Sequence, residues 1–167
     1  MGQHGVGVME IRAMTVADVP LVSDLEQRIY PEPWSEGVFL DELAQPSRVY
    51  LLAVDGEEVV GYGGMMIVFE DAHITTVSVS PDARGGGIAT QLMMRLTDAA
   101  LATDAEHLTL EVRMSNDAAQ ALYRKFGFVP VGVRKDYYLN DDALIMWASG
   151  INEPDYRDRL QAIREKL

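Results

Sequence analysis

One stretch constrains the fold more than any other. The run His73-Ile74-Thr75-Thr76-Val77-Ser78-Val79-Ser80 is dense in β-branched residues and ends at Pro81. Arg84-Gly85-Gly86-Gly87 follows, and then Ile88, Leu92, Met93, Leu96, Ala99 and Ala100 recur at helical spacing. A strand that enters an amphipathic helix through a glycine turn is an element of an α/β protein.

The rest of the chain fits that class. A short strand is expected from Val8 to Arg12. A helix follows from Val16 to Ile29, with Thr15 and Asp18 placed as in a capping box. Tyr30-Pro31-Glu32-Pro33-Trp34 breaks it, and Ser35 caps a shorter helix that ends near Ala44. Strands are expected over Arg48–Val54 and Val59–Val68, joined at Asp55-Gly56, with Gly61, Gly63 and Gly64 weakening the second or marking a bulge. After the glycine turn come a strand over His107–Arg113, a helix over Asn116–Phe126 stopped by Gly127, and strands over Phe128–Tyr138 and Ala143–Ala148. The expectation is a mixed, mostly antiparallel sheet of about seven strands with about four helices. Residues 1–8 are expected to be a flexible segment, 9–150 one domain, and 151–167 a polar tail, helical and exposed.

Composition narrows the function. The 167 residues contain no cysteine, which removes disulfides, thiolate metal sites and a cysteine nucleophile together. His4, His73 and His107 lack metal-ligand spacing, so no metal is expected. A net charge of −12 disfavours nucleic acid. It suits cationic partners, or simply keeps the chain dispersed. No apolar run is long enough to span a membrane, and MGQHGVGV has neither the basic nor the apolar region of a signal peptide, so a cytoplasmic location is expected.

The glycine turn suggests a ligand. The first amides of a helix lack internal partners and carry the positive end of its dipole, and glycines let a phosphate come close. The turn is neither a Walker A loop nor a dinucleotide fingerprint, and a merely flexible turn is the alternative reading. However, Arg84-x-x-Gly87-x-Ala89 resembles the Gln/Arg-x-x-Gly-x-Gly/Ala signature of the GNAT superfamily of N-acetyltransferases. It departs from that signature at Gly86, where many members carry a basic side chain. The resemblance runs from about Met9 to Ala148, through Pro33-Trp34-Ser35, His73–Val79, Leu110-Glu111-Val112-Arg113-x-Ser115-Asn116, Ala121-Leu122-Tyr123-x-x-Phe126-Gly127-Phe128 and Arg134-x-x-Tyr137-Tyr138. It is strongest with the bacterial branch that acetylates the N-terminal alanine of a ribosomal protein.

The resemblance implies acetyl-CoA as co-substrate, with its pyrophosphate on Arg84, Gly85, Gly86, Gly87, Ile88, Ala89 and Thr90. Its pantetheine arm would run along Val77, Ser78 and Val79 and reach Asn116, in a sheet splayed at the cofactor cleft. Glu111 would be the general base. From the strand pattern alone Glu111 turns away from Leu108, Leu110 and Val112, and a solvent-facing charge paired with Arg113 is equally compatible. Tyr123 would protonate the departing sulfur, although periodicity alone places it in the core. Asn116 also reads as a helix cap. Tyr30, Glu32, Tyr137 and Tyr138 would flank the acceptor.

The expected reaction is direct acetyl transfer in a ternary complex to a protein N-terminal α-amine, that of alanine on a basic ribosomal protein. The oligomeric state is open, with a monomer as the working expectation. One rival is the same chemistry on lysine side chains or small amines; the other is a non-catalytic acetyl-CoA-binding module.

Overall fold

A computed structural model describes residues 9–167, so the segment 1–8 expected to be flexible lies outside the described residues. The elements are β1 (Met9–Ala13), α1 (Val19–Ile29), α2 (Glu36–Leu43), β2 (Arg48–Asp55), β3 (Glu58–Val68), β4 (Asp71–Val79), α3 (Ile88–Leu101), β5 (His107–Arg113), α4 (Asp117–Lys125), β6 (Val129–Tyr138), β7 (Asp141–Ser149) and α5 (Pro154–Arg164). Seven strands form a sheet in the order β1-β2-β3-β4-β5-β7-β6. β1–β2, β5–β7 and β6–β7 are antiparallel, whereas β4 and β5 are parallel, so the sheet is mixed and the class is α/β. The β4–β5 ladder covers only three pairs, from Asp71↔His107 to His73↔Thr109.

The chain condenses into two compact units. One combines the chain up to Met65 with Thr76–Leu96; the other combines Met66–Thr75 with Thr97–Leu167.

In the first unit the capping box forms around Thr15. The Thr15 N–H and hydroxyl both donate to Asp18 Oδ2, at 2.8 and 2.9 Å, and Arg12 forks onto the same carboxylate at 2.8 and 2.9 Å. The Arg12 hydrogen bonds hold the Asp18 carboxyl well below the usual carboxylate range. Val22, Leu25, Phe39, Leu52 and Tyr62 are fully buried in one cluster, and Phe39 meets Trp34 and Tyr62 edge-on. Ile88 and Leu92 of α3 join Ala53 and Val60 in a second cluster.

The glycines of β3 allow that packing. A Cβ on Gly61 would stand 2.8 Å from the Ser78 carbonyl oxygen and 3.3 Å from Ile88, and one on Gly63 would stand 3.0 Å from Leu96. A Cβ on Gly64 would land in the Tyr50 ring. These glycines are close-approach positions; β3 runs unbroken from Glu58 to Val68 as one strand rather than weakening there.

In the second unit Leu108, Leu110 and Val112 of β5 are buried on one face, with Leu110 paired to Met146 of β7. Gln120 of α4 is buried and donates to the carbonyls of Arg113 and Met114, which ties the helix to the end of β5. The left-handed Gly127 (φ +86°) turns the chain from α4 into β6. The tail is not exposed throughout: Tyr156, Leu160 and Ile163 of α5 are buried, spaced by four and three residues on one face, and the Tyr156 hydroxyl donates to the Phe126 carbonyl at 2.6 Å.

Candidate active site

The first unit carries the candidate cofactor residues. β4 ends at Val79, Pro81–Ala83 form a single 3-10 turn, and the chain reaches α3 through Arg84–Gly87. Gly85 (φ +87°) and Gly87 (φ +80°) have left-handed backbone with no atom within 4 Å of a built Cβ. Backbone shape, not crowding, therefore requires glycine there. Gly86 is different: its φ is unremarkable and a Cβ would meet only the Ala83 carbonyl at 3.6 Å. The Gln91 amide donates to the Gly87 carbonyl at 3.0 Å, and Ile88 and Ala89 are the first two residues of α3, at the N-terminal end where helix amides lack internal partners. Ile88 is buried, Ala89 is half-buried and Thr90 is buried. The Arg84 Nε donates to the Val79 carbonyl at 3.4 Å.

Strand geometry orients the candidate pantetheine groove. The carbonyls of Thr76 and Ser78 face Gly63 and Gly61 of β3. Backbone groups alternate along a strand, so Val77 and Val79 turn theirs away from β3. A Cβ-free approach at the turn and outward amides beyond it fit a phosphate and an extended amide chain.

The Ser78 side chain is engaged elsewhere. Its hydroxyl lies 2.6 Å from the Tyr30 hydroxyl and 3.0 Å from Thr76 Oγ1. Tyr30, read from sequence as an acceptor contact, is thus joined to a residue read as a cofactor contact. Nearby, the buried Glu26 carboxylate accepts a short hydrogen bond from the Tyr62 hydroxyl and a 3.0 Å bond from the Trp34 amide. Burial, and then the Glu26 contact, push the Tyr62 hydroxyl far above the usual phenol range. Burial also raises that of Tyr30, with the Ser78 hydrogen bond opposing. Glu32 is exposed in the segment between α1 and α2.

The second unit carries the candidate acid and base. Glu111 lies on the β5 face opposite Leu110 and Val112, with a side chain 16% exposed. Its partner is not Arg113. Arg134 Nε of β6 lies 3.1 Å from Oε2, yet among the described residues Oε2 receives no directed hydrogen bond. The contact is an ion pair with the N–H turned off line. His73 Nε2 lies 3.7 Å from Oε1. The His73 Nδ1 is 2.7 Å from the Thr109 hydroxyl. Burial lowers the His73 pKa, Glu111 opposes that shift and Arg134 adds to it, so the ring is neutral at pH 7. The direction of the hydrogen bond with Thr109 sets the ring tautomer, and Nε2 is the ring nitrogen turned toward the carboxylate.

Arg113 stacks on Tyr138 instead, with Cζ 4.5 Å from the ring centroid, and donates to the Leu139 carbonyl at 3.3 Å. The Tyr138 hydroxyl donates to the Glu111 backbone carbonyl at 3.2 Å, and Tyr137 stands edge-on to Tyr138 at 5.0 Å. Glu111, Tyr137 and Tyr138 are therefore brought together. Tyr123 is buried on α4, 5.7 Å from the Phe128 ring. Asn116 Oδ1 accepts the Ala119 amide at 3.1 Å, which is the N-cap role. His73 and Arg134 are the neighbours of Glu111 that sequence reasoning did not single out, with Thr109 behind His73; the shared His73–Val79 and Arg134–Tyr138 segments pointed to the first two, and nothing pointed to Thr109. Among the described residues no three His, Asp or Glu side chains gather as metal ligands.

Comparison with known proteins identifies the family. The model of the acetyltransferase (GNAT) family matches residues 19–128. A Bacillus subtilis protein is 39% identical over 146 residues, 86% of this chain and 96% of its own. The N-alpha-acetyltransferase RimI of Mycobacterium tuberculosis is 37% identical over 134 residues, 77% of this chain and 83% of its own. The crystal structure of the ribosomal-protein-S18-alanine N-acetyltransferase from Escherichia coli superimposes with a TM-score of 0.79 at 28% identity, covering 86% of this chain and 94% of that one. With the family model matching residues 19–128 and a relative 39% identical over 86% of the chain, the protein belongs to the GNAT family of acetyltransferases.

Proposed function

We propose that this enzyme transfers the acetyl group of acetyl-CoA to the α-amine of a protein N-terminus, that of alanine on a basic ribosomal protein, by direct attack in a ternary complex. The observation that carries the reading is Glu111: a carboxylate mostly shielded from water, with Oε2 receiving no directed hydrogen bond and a neutral histidine beside Oε1. Such a carboxylate is available to take a proton. In solution an α-amine has a pKa of about 7.7–8.0, against about 10.4 for lysine, so one carboxylate base suffices for the former.

The neutral amine attacks the thioester carbonyl carbon, Glu111 accepts the amine's proton, and the carbon–sulfur bond breaks as the Tyr123 hydroxyl protonates the departing thiolate. Gly85, Gly87 and the amides of Ile88 and Ala89 would receive the pyrophosphate, with Arg84, Gly86 and Thr90 around it. Val77, Ser78 and Val79 would line the pantetheine arm and Asn116 would contact it. Tyr30, Glu32, Tyr137 and Tyr138 would border the acceptor. The names of the mycobacterial and Escherichia coli relatives support the acceptor class.

The test is a library of free N-terminal peptides incubated with acetyl-CoA and read by mass spectrometry. Acetylation on the α-nitrogen of alanine-first peptides is expected. No product and no coenzyme A release from any peptide would leave a binding module instead.

A further inference from the structure

The contact between Arg134 and Glu111 has an odd geometry for a structural salt bridge. Arg134 is on β6, the edge strand of the sheet, and its side chain is 59% exposed while that of Glu111 is 16% exposed. The guanidinium approaches Oε2 through Nε at 3.1 Å, off the hydrogen-bonding direction, without the directed two-pronged fork of a strong arginine–carboxylate pair. Its other partner is the Tyr137 ring, 5.4 Å from Cζ, and Tyr137 is itself half-exposed. The β6–β7 register breaks immediately beyond Arg134, between its pairing with Ala143 and that of Tyr138 with Asp141, and Asp136 in between has φ +53°. Arg134 thus closes the regular ladder, and its cation rests on a carboxylate that offers an unsatisfied lone pair.

An α-ammonium carries three N–H donors on a compact charge and meets such an oxygen in line, as the arginine does not. We propose that Arg134 is a displaceable latch on Glu111: its guanidinium occupies the place on the carboxylate that the acceptor's α-ammonium takes, so acceptor binding must dislodge it and Arg134 sets the acceptor KM. The inference rests on the reading of Glu111 as the group that meets the amine. Arg134 is here a positioning residue that acts through Glu111. Its pairing is weak enough to be exchanged, because no directed hydrogen bond fixes it and the guanidinium side is more than half exposed to water. Tyr137 provides the ring beside which the released guanidinium stays.

The experiment uses the full chain and a lysine-free peptide with a free N-terminal alanine. Acceptor KM and kcat are measured at saturating acetyl-CoA, and peptide Kd by calorimetry with saturating coenzyme A. Arg134→Gln is expected to lower acceptor KM and Kd by about two- to fivefold, with Arg134→Met behaving alike and Arg134→Lys returning toward wild type. Lys135→Gln, which removes a neighbouring exposed charge, is expected to leave KM in place. In a Glu111→Gln background, Arg134→Gln is expected to leave peptide Kd unchanged. A KM that rises or stays put in both Arg134→Gln and Arg134→Met overturns the latch. So does an equal fall in Lys135→Gln, or a fall in Kd that persists without the Glu111 charge. Full turnover in Glu111→Gln alone removes Glu111 as the base, while the Kd comparison still decides whether Arg134 competes for its carboxylate.

Discussion

His73 Nε2 faces Glu111 Oε1 across 3.7 Å, and the ring is anchored on its other side by Thr109 at 2.7 Å. A neutral histidine and a carboxylate stand together on neighbouring parallel strands, in the register His73↔Thr109. The acid–base role proposed for Glu111 would operate in that setting.

Replacing Glu111 by Gln is expected to preserve acetyl-CoA binding and to reduce kcat by about 10²–10⁴-fold at pH 7, the usual contribution of a general base. The deficit narrows as pH rises, because more of the α-amine is then neutral without help. A kcat–pH profile of both proteins with a free N-terminal peptide checks this. Wild-type turnover at pH 7 removes Glu111 from the mechanism.

The lowered pKa of His73 gives a stability signature. The folded chain holds this ring neutral while the unfolded chain protonates it near the ordinary value of about 6.5, so below that value the unfolded state binds more protons. The His73 contribution is fully present above about pH 6.5 and is lost as pH falls through the lower folded value. Melting temperatures at pH 7.5 and pH 5 measure it. His73→Asn is expected to lose less stability between the two than wild type does.

These neighbours show what was legible in the sequence and what was not. Alternation between Leu110 and Val112 placed Glu111 on the polar face of its strand, and the cap at Asn116 and the stop at Gly127 follow from local chemistry. The partners of Glu111 do not. Arg113, two residues away on the same strand, was the natural candidate, yet it stacks on Tyr138. The actual neighbours come from β4 and β6, brought in by strand order and register, which no local pattern encodes. Gly61 and Gly63 failed in the same way, since the atoms that demand glycine there belong to β4 and α3. In α5 the polar composition of the tail masks the stripe Tyr156, Leu160, Ile163, whose spacing of four and three residues is the signal of a buried face.

Tyr123→Phe tests the proposed acid. Tyr123 is buried against Phe128, and the phenyl ring keeps that packing. Stability is expected to stay within about 1 kcal/mol of wild type, with acetyl-CoA affinity retained and kcat reduced. Thermal melting and single-turnover rates check it. A collapse of stability assigns Tyr123 to the core alone.

The glycine turn makes two opposite predictions. Gly87→Val forces a β-branched residue into φ +80° and is expected to abolish the thermal shift given by acetyl-CoA. That shift amounts to about 2.7 kcal/mol at 100 times Kd. Gly86→Arg adds a cation where the backbone and the surrounding space accept a side chain, and is expected to tighten acetyl-CoA binding. Thermal shift titrations with acetyl-CoA read both.

The acceptor decides the central claim. Two peptides with the same basic body are incubated with enzyme and acetyl-CoA: one has a free N-terminal alanine and no lysine, the other a blocked N-terminus and several lysines. The account predicts acetylation of the first, on its α-nitrogen, with a rate that falls as salt screens the attraction of a chain of net charge −12 for a cationic peptide. Acetylation of the second peptide alone would contradict it.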